Sequence, residues 1–350
     1  MVIAAKHMND RSRRYVAIWL LSGCFLIFAM VVIGGITRLT GSGLSITEWA
    51  PIMGAVPPMN GQEWQEAFEK YKQIPQYEKI NAHFELQDFK AIFWWEFIHR
   101  LVGRLIGVVF LLPFIWFLIT RQLDRAMTRK ALFLFTLGGL QGFLGWFMVK
   151  SGLTERTSVS HIRLAIHLIT AFITFGFTWW YALQLLYPRA LVPASTKLRQ
   201  LGVATFSVLM AQLVYGAFVA GLHAGKLHNT FPLMSGQVFP VGGWYAEDGI
   251  ANFFDNPELV QFIHRFFAFT LLAMAGYVWY LARNERMETS QRTALNWFYA
   301  ALAVQFVLGV LTILYQAPIV LASVHQIGAF FLFAAMIYVQ FRFRGTSLTA

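Results

Sequence analysis

Long stretches without a charged residue alternate with short polar links along this chain. Residues 15–37, 131–149, 164–188 and 200–225 contain no Asp, Glu, Lys or Arg. Neither does 293–341, which is too long for one membrane crossing and breaks at Gln316-Ala317-Pro318. Two further apolar runs, at about 93–120 and 258–282, carry arginine only near their starts. A bilayer crossing takes about 20 apolar residues. The pattern therefore predicts eight spans. Main-chain polar groups in hydrocarbon must pair within their own segment, so the spans are helices. The predicted fold class is an all-α integral membrane protein.

Composition agrees. Of 350 residues, 57% are apolar and only 13% charged, about half the charged share of a soluble domain. A soluble enzyme, a disordered chain and a disulfide scaffold are excluded. The lone Cys24 permits neither an intrachain disulfide nor covalent haem attachment through CxxCH. The net charge of +11 resolves by location. Both termini and the links at 121–130, 188–199 and 283–293 hold 16 Lys/Arg against 4 Asp/Glu. The other side holds 12 against 13. The positive-inside rule then places both termini in the cytoplasm. The charge reports topology beside lipid, and no nucleic-acid partner is expected. The first span is too long for a cleavable leader, and the 14-residue basic N-terminus is short for a transit peptide. A bacterial inner (plasma) membrane is expected. In the outer segment 38–92, Asn60 and Glu63 form a capping-box pattern, and Trp64, Phe68 and Tyr71 make one apolar stripe. That stripe predicts a short helix lying on the membrane face or on the bundle.

The two halves repeat. Glu96-Phe-Ile-His-Arg100 matches Gln261-Phe-Ile-His-Arg265; Gln141, Leu144 and Gly145 match Gln305, Leu308 and Gly309; Pro51-Ile-Met53 matches Pro232-Leu-Met234. The expected organisation is two four-helix halves, 1–190 and 191–350, related as a parallel repeat about the membrane normal.

Four histidines fall within spans: His99, His167, His264 and His325. They lie on alternate helices at similar depth, about 10 Å in from the outer face. Ionisable groups in a membrane are costly and mark function. Two neutral imidazoles facing each other across a bundle are haem-iron ligands, whereas zinc wants three or four ligands. Each half thus offers one pair, His99/His167 and His264/His325, with room for one haem. Gly103 and Gly107, one and two turns below His99, admit either a flat macrocycle or a tightly packed helix. Arg100, Arg104 and Arg265 near the outer boundary suit either haem propionates or lipid headgroups. Glu96 lies one turn before His99, where the second half has Gln261. A carboxylate there either moves protons or sits at a helix start favoured by the dipole.

With these residues the chain resembles the haem A synthase family over nearly its whole length. The stretches that carry the resemblance are Gly34-Gly-Ile-Thr-Arg-Leu-Thr-Gly-Ser-Gly-Leu44, Trp95-Glu-Phe-Ile-His-Arg100, Leu140-Gln-Gly-Phe-Leu-Gly-Trp146 with Ser151-Gly-Leu153, and Gln261-Phe-Ile-His-Arg265. The resemblance implies two pseudo-symmetric four-helix bundles. It implies oxidation of the C8 methyl of haem O to the formyl of haem A, by two hydroxylations and loss of water. It implies that His264 and His325 ligate a resident, non-covalent haem b, and that His99 and His167 frame the substrate haem with Glu96 essential to the chemistry. Arg100 and Arg265 are the expected cofactor-binding cations. Some members carry cysteine pairs in their outer segments; this chain has none, as in the proteobacterial and mitochondrial type. The implied partners are a haem O synthase that supplies substrate and an electron donor of open identity; a homo-oligomer is also open. A dihaem b-type electron carrier is the alternative. Such carriers stack haems across the bilayer with two histidines per helix, whereas here each helix holds one. A transporter would need charged or broken helices at the midplane, and the inner parts of these spans carry no acid or base.

Overall fold

The structure, a computed structural model, describes residues 8–49, 53–154, 156–187 and 192–345. Its helices are α1 (Asp10–Leu39), α2 (Gly61–Tyr71), α3 (Leu86–Ile119), α4 (Arg125–Thr154), α5 (His161–Leu186), α6 (Thr196–Gly221), α7 (Asn252–Asp255), α8 (Pro257–Ala282), α9 (Thr289–Leu314) and α10 (Ile319–Arg344). All but α2 and α7 are long and apolar enough to cross a membrane, eight in total among the described residues. The chain is an all-α multi-pass membrane protein. The predicted break at 316–318 is present: Gln316 and Ala317 take left-handed φ values of 61° and 54°, and Pro318 starts α10. Of the repeated Pro51-Ile-Met53, the first two residues lie outside the described ones.

The chain divides into two compact units, residues 1–186 and 187–350. In the first, α1 packs against α3 and α5, and α4 against α5 and α3. In the second, α6 packs against α8 and α10, and α9 against α10 and α8. The order of neighbours is therefore the same in each unit, with α1, α3, α4 and α5 corresponding to α6, α8, α9 and α10.

One boundary differs from the sequence expectation. The third helix begins at Leu86 and not near 93, because one face of the extension, Phe89 and Ile92, is buried against protein while Gln87, Asp88 and Ala91 are exposed. Glu96 is consequently well inside α3, not at a helix start. What covers this extension is α2. Its buried stripe, Trp64, Phe68 and Tyr71, packs on Phe89 and Phe93, with the Trp64 and Phe93 rings 4.9 Å apart. The cap is present in modified form. Asn60 Oδ1 accepts from the Glu63 main-chain N–H at 2.9 Å, while Glu63 returns its bond to Met59 N at 2.6 Å and not to Asn60 N. Tyr71, Gln76 and Gly41 O form a hydrogen-bonded chain that ties this outer helix to the loop after α1.

Pro113 lies inside α3 and has no N–H to give Val109 O four residues earlier. The indole of Trp19 on α1 supplies it instead, with Nε1 donating to Val109 O at 3.1 Å. Trp19 is nearly buried and packs on Phe110, Phe114 and Phe117. Trp19→Phe keeps most of this packing but orphans the carbonyl, so it is expected to lower stability by about 1–3 kcal/mol. Pro113→Ala returns the main-chain donor, and the same substitution in that background should cost much less. Thermal unfolding in detergent of the two single variants and the double variant measures the difference; equal costs in both backgrounds would refute the bond's role.

Candidate functional site

In each unit the two intramembrane histidines come together. His99 on α3 and His167 on α5 lie within electrostatic reach of each other, as do His264 on α8 and His325 on α10. All four rings are half-buried. Each is met by a glycine on the neighbouring helix, at a distance where a Cβ would crowd the ring. A Cβ placed on Gly34 would lie 3.1 Å from His99 Nε2; on Gly145, 3.2 Å from His167 Cε1; on Gly216, 3.2 Å from His264 Cε1; on Gly309, 3.0 Å from His325 Cε1. The helices thus approach closely where each ring stands.

One turn before three of these glycines is a glutamine. Gln141 Nε2 donates to the His167 carbonyl at 2.9 Å. Gln212 Nε2 is 3.5 Å from His264 Nε2, and Gln305 Nε2 is 3.4 Å from His325 Nε2. The amide oxygens of all three glutamines, and Nδ1 of His167, His264 and His325, are buried without a protein partner. Below His99, a Cβ on Gly107 would meet nothing within 4 Å, and one on Gly103 would meet only the Met30 methyl, at 3.2 Å. Two neighbouring imidazoles, unpartnered ring nitrogens and room beside a helix are features that would suit a flat macrocycle held by histidine. Among the described residues no group of three or more His, Cys, Asp or Glu gathers as a metal cluster, so each pair offers two imidazoles where a structural zinc site uses four ligands.

The outer rims of the two sites are built on one plan with one difference. Arg265 Nη1 donates to Thr230 O at 2.8 Å and Nη2 to His228 O, while Gln261 Nε2 donates to His228 O at 3.3 Å. Arg100 likewise holds the loop after α1, through Ile46 O at 2.7 Å and Glu48 O at 2.9 Å. In place of the amide, Glu96 forms a buried ion pair. Its Oε1 accepts from Arg100 Nε at 3.0 Å and Nη2 at 2.6 Å; its Oε2 accepts from Ser45 Oγ at 2.8 Å and Ile46 N at 2.9 Å. Glu96 is 3% exposed. It is a fixed, fully hydrogen-bonded carboxylate beside His99, and it pins the loop that Arg100 also grips.

The sequence alone does not point to Ser45, Gln212, Gly34 or Gly216. A signal for Gln212 and Gly216 was available: they repeat the Gln-x-x-x-Gly spacing of Gln141/Gly145 and Gln305/Gly309. The Ser151-Gly-Leu153 stretch also acquires a reason, since a Cβ on Gly152 would strike the Leu44 side chain at 2.7 Å. Of the expected cations, Arg100 and Arg265 spend several donors on loop carbonyls and so brace the rim as well as charging it.

The profile of the cytochrome oxidase assembly protein (COX15-CtaA) family matches residues 17–337. A haem A synthase of Flavobacterium johnsoniae is 44% identical over 336 residues, covering 95% of this chain and 98% of that one. One of Nitrosospira multiformis is 46% identical, covering 94% and 93%. One of Rhodospirillum centenum is 47% identical, covering 96% and 90%.

Because Arg100 and Glu96 are both largely buried, removing one charge strands the other. Glu96→Gln is expected to destabilise the first unit by about 3–5 kcal/mol, whereas Ser45→Ala removes one neutral donor and should cost about 1 kcal/mol. Denaturation of each variant in detergent is the measurement, and a Glu96→Gln protein as stable as the parent would contradict the ion pair's structural weight.

Proposed function

The chain belongs to the cytochrome oxidase assembly protein family, and from that premise we propose that it is an oxidoreductase converting haem O to haem A for cytochrome oxidase. Near-full-length likeness to haem A synthases supports the reaction. The difference between Glu96 and Gln261, in two sites otherwise alike, supports the division of labour. The first half, residues 1–190, takes the substrate haem O; the second, 191–350, holds a resident, non-covalent haem b. When bound, haem b supplies a reversible one-electron centre.

His264 and His325 hold the resident iron, and the glycines opposite them fix the rings. His99 and His167 would frame the substrate haem and so position it in the first half. Glu96, one turn before His99, is the candidate proton-handling group. Its Oε2 shares a hydrogen bond with the Ser45 hydroxyl, a group able both to give and to accept a proton. Arg100 and Arg265 place positive charge at the rims, where haem carboxylates are complementary. The apolar, aromatic walls exclude water from the methyl being oxidised. A haem O synthase is the natural source of so insoluble a substrate. The excess of Lys and Arg on one side of the spans supports cytoplasmic termini in a bacterial inner membrane.

Deleting the protein should make cells accumulate haem O and lose haem A, read from a pigment extract separated into haems B, O and A; unchanged haem A would end the proposal. Glu96→Ala should lower turnover by about 100-fold or more while haem b stays bound. Loss of haem b instead would reverse the assignment of the two halves.

A further inference from the structure

Each unit is a ring of four helices with one slack side. In the first, α1 packs closely on α3 and α5, and α4 on α5, while α3 and α4 touch least. In the second, α6 packs closely on α8 and α10, and α9 on α10, while α8 and α9 touch least. The slack side adjoins the helix that carries the first histidine of each pair, His99 on α3 and His264 on α8. A broad flat molecule can pass there without parting well-packed helices.

In the second unit this side is filled. Phe231 from the loop after α6, Phe269 on α8 and Phe306 on α9 each touch the other two. Their ring centroids lie 5.8 Å apart for Phe231 and Phe269, 6.0 Å for Phe231 and Phe306, and 5.8 Å for Phe269 and Phe306. Phe269 follows His264 by five residues, and Phe306 follows Gln305, whose amide is 3.4 Å from the His325 ring. The triangle therefore stands beside the histidine pair. The loop that supplies Phe231 is held from both helices: Asn229 Nδ2 donates to Ile313 O on α9 at 2.9 Å, and Arg265 Nη1 on α8 donates to Thr230 O at 2.8 Å.

The repeat puts other residues at these positions in the first unit. Counted from His99 and Gln141, which match His264 and Gln305, Phe269 corresponds to Arg104 and Phe306 to Gly142. Leu272 and Leu302 likewise correspond to Gly107 and Gly138. A Cβ on Gly107, Gly138 or Gly142 would meet nothing within 4 Å. Trp49 follows Glu48 as Phe231 follows Thr230, and Arg100 and Arg265 grip those two carbonyls. Its ring, however, lies beside the Arg100 guanidinium at 5.8 Å and is 52% exposed. The first unit thus has open space where the second has a closed aromatic triangle.

We infer that porphyrin passes between lipid and the first site through the α3–α4 side, and that Phe231, Phe269 and Phe306 close the matching side of the second site. The inference rests on the division of halves proposed above. A substrate site must exchange its porphyrin at every turnover, and a cofactor site must not. The border of the route suits an apolar macrocycle, since Leu105 and Val108 on α3 and Leu140 and Phe143 on α4 are exposed. Gly142 and Phe306 are the matched pair that sets which site exchanges.

The test uses the full-length chain in lipid nanodiscs, loaded with ferric haem B and challenged with apomyoglobin in the surrounding water. Release is followed by visible absorbance, and low-spin electron paramagnetic resonance verifies histidine ligation before the challenge. Two phases are expected, and His325→Ala should abolish the slow one. Phe306→Ala should accelerate the slow phase about tenfold, the change that two lost ring contacts carry, and leave the fast phase unmoved. Gly142→Phe adds a ring where there is space for one; it should slow the fast phase about tenfold and leave the slow phase unmoved. Phe306→Ala decides the matter by itself should Gly142→Phe fail to fold. A slow phase unmoved by Phe306→Ala, or a fast phase unmoved by Gly142→Phe, in ligated protein overturns the inference and leaves the proposed function standing. Equal acceleration of both phases by Phe306→Ala is general loosening and overturns it too. If His325→Ala abolishes the fast phase instead, the division of halves fails and the inference with it.

Discussion

An imidazole held within hydrocarbon needs its neighbours arranged around it, since a polar ring in apolar surroundings is costly unless something polar or metallic receives it. Here that requirement is met by close approach. The helix opposite each histidine presents a glycine, so its main chain approaches the ring at a distance where a Cβ would be crowded. The rest of the site follows from this spacing. Ring orientation, the gap between paired histidines and the position of the residue one turn earlier are all set by where the two helices are allowed to touch.

The rims show the same plan with one residue changed. In both units an arginine one residue after the first histidine collects carbonyls from the loop after the unit's first helix. In the second unit a neutral amide completes the arrangement at little electrostatic cost. In the first unit a carboxylate does, and a buried charge then has to be balanced by the arginine, by the Ser45 hydroxyl and by a main-chain N–H. Four hydrogen bonds on one carboxylate are a heavy commitment of polar groups in so apolar a chain.

Much of this was legible beforehand, for physical reasons. Membrane spans announce themselves because water is excluded from them, so the absence of charge over 15–37 or 200–225 leaves little choice of structure. The histidines were legible for the same reason. The start of α3 was not, because only one face of residues 86–92 is buried, by Phe89 and Ile92 in the cluster with α2, and an extension of mixed polarity reads as a loop. Glu96 therefore read as a helix-start acid, although it is buried in mid-helix. The partners of Glu96 were equally hidden: Ser45 and the Ile46 N–H are distant in sequence, and a main-chain donor leaves no trace in composition. Gln212 escaped notice because it lies in a charge-free run where a single amide carries little weight, yet its spacing to Gly216 repeats that in the fourth and ninth helices.

The unbroken course of α3 has a mechanical consequence. From the aromatic cluster at Phe89 and Phe93, through Glu96, to His99, the helix is one rod without a hinge, and its weakest rung is at Pro113, beyond the histidine on the far side. Force applied to the outer cluster would therefore not be absorbed before it reached the ligand. Helix α2, the Glu96 ion pair and His99 therefore bear on one continuous element.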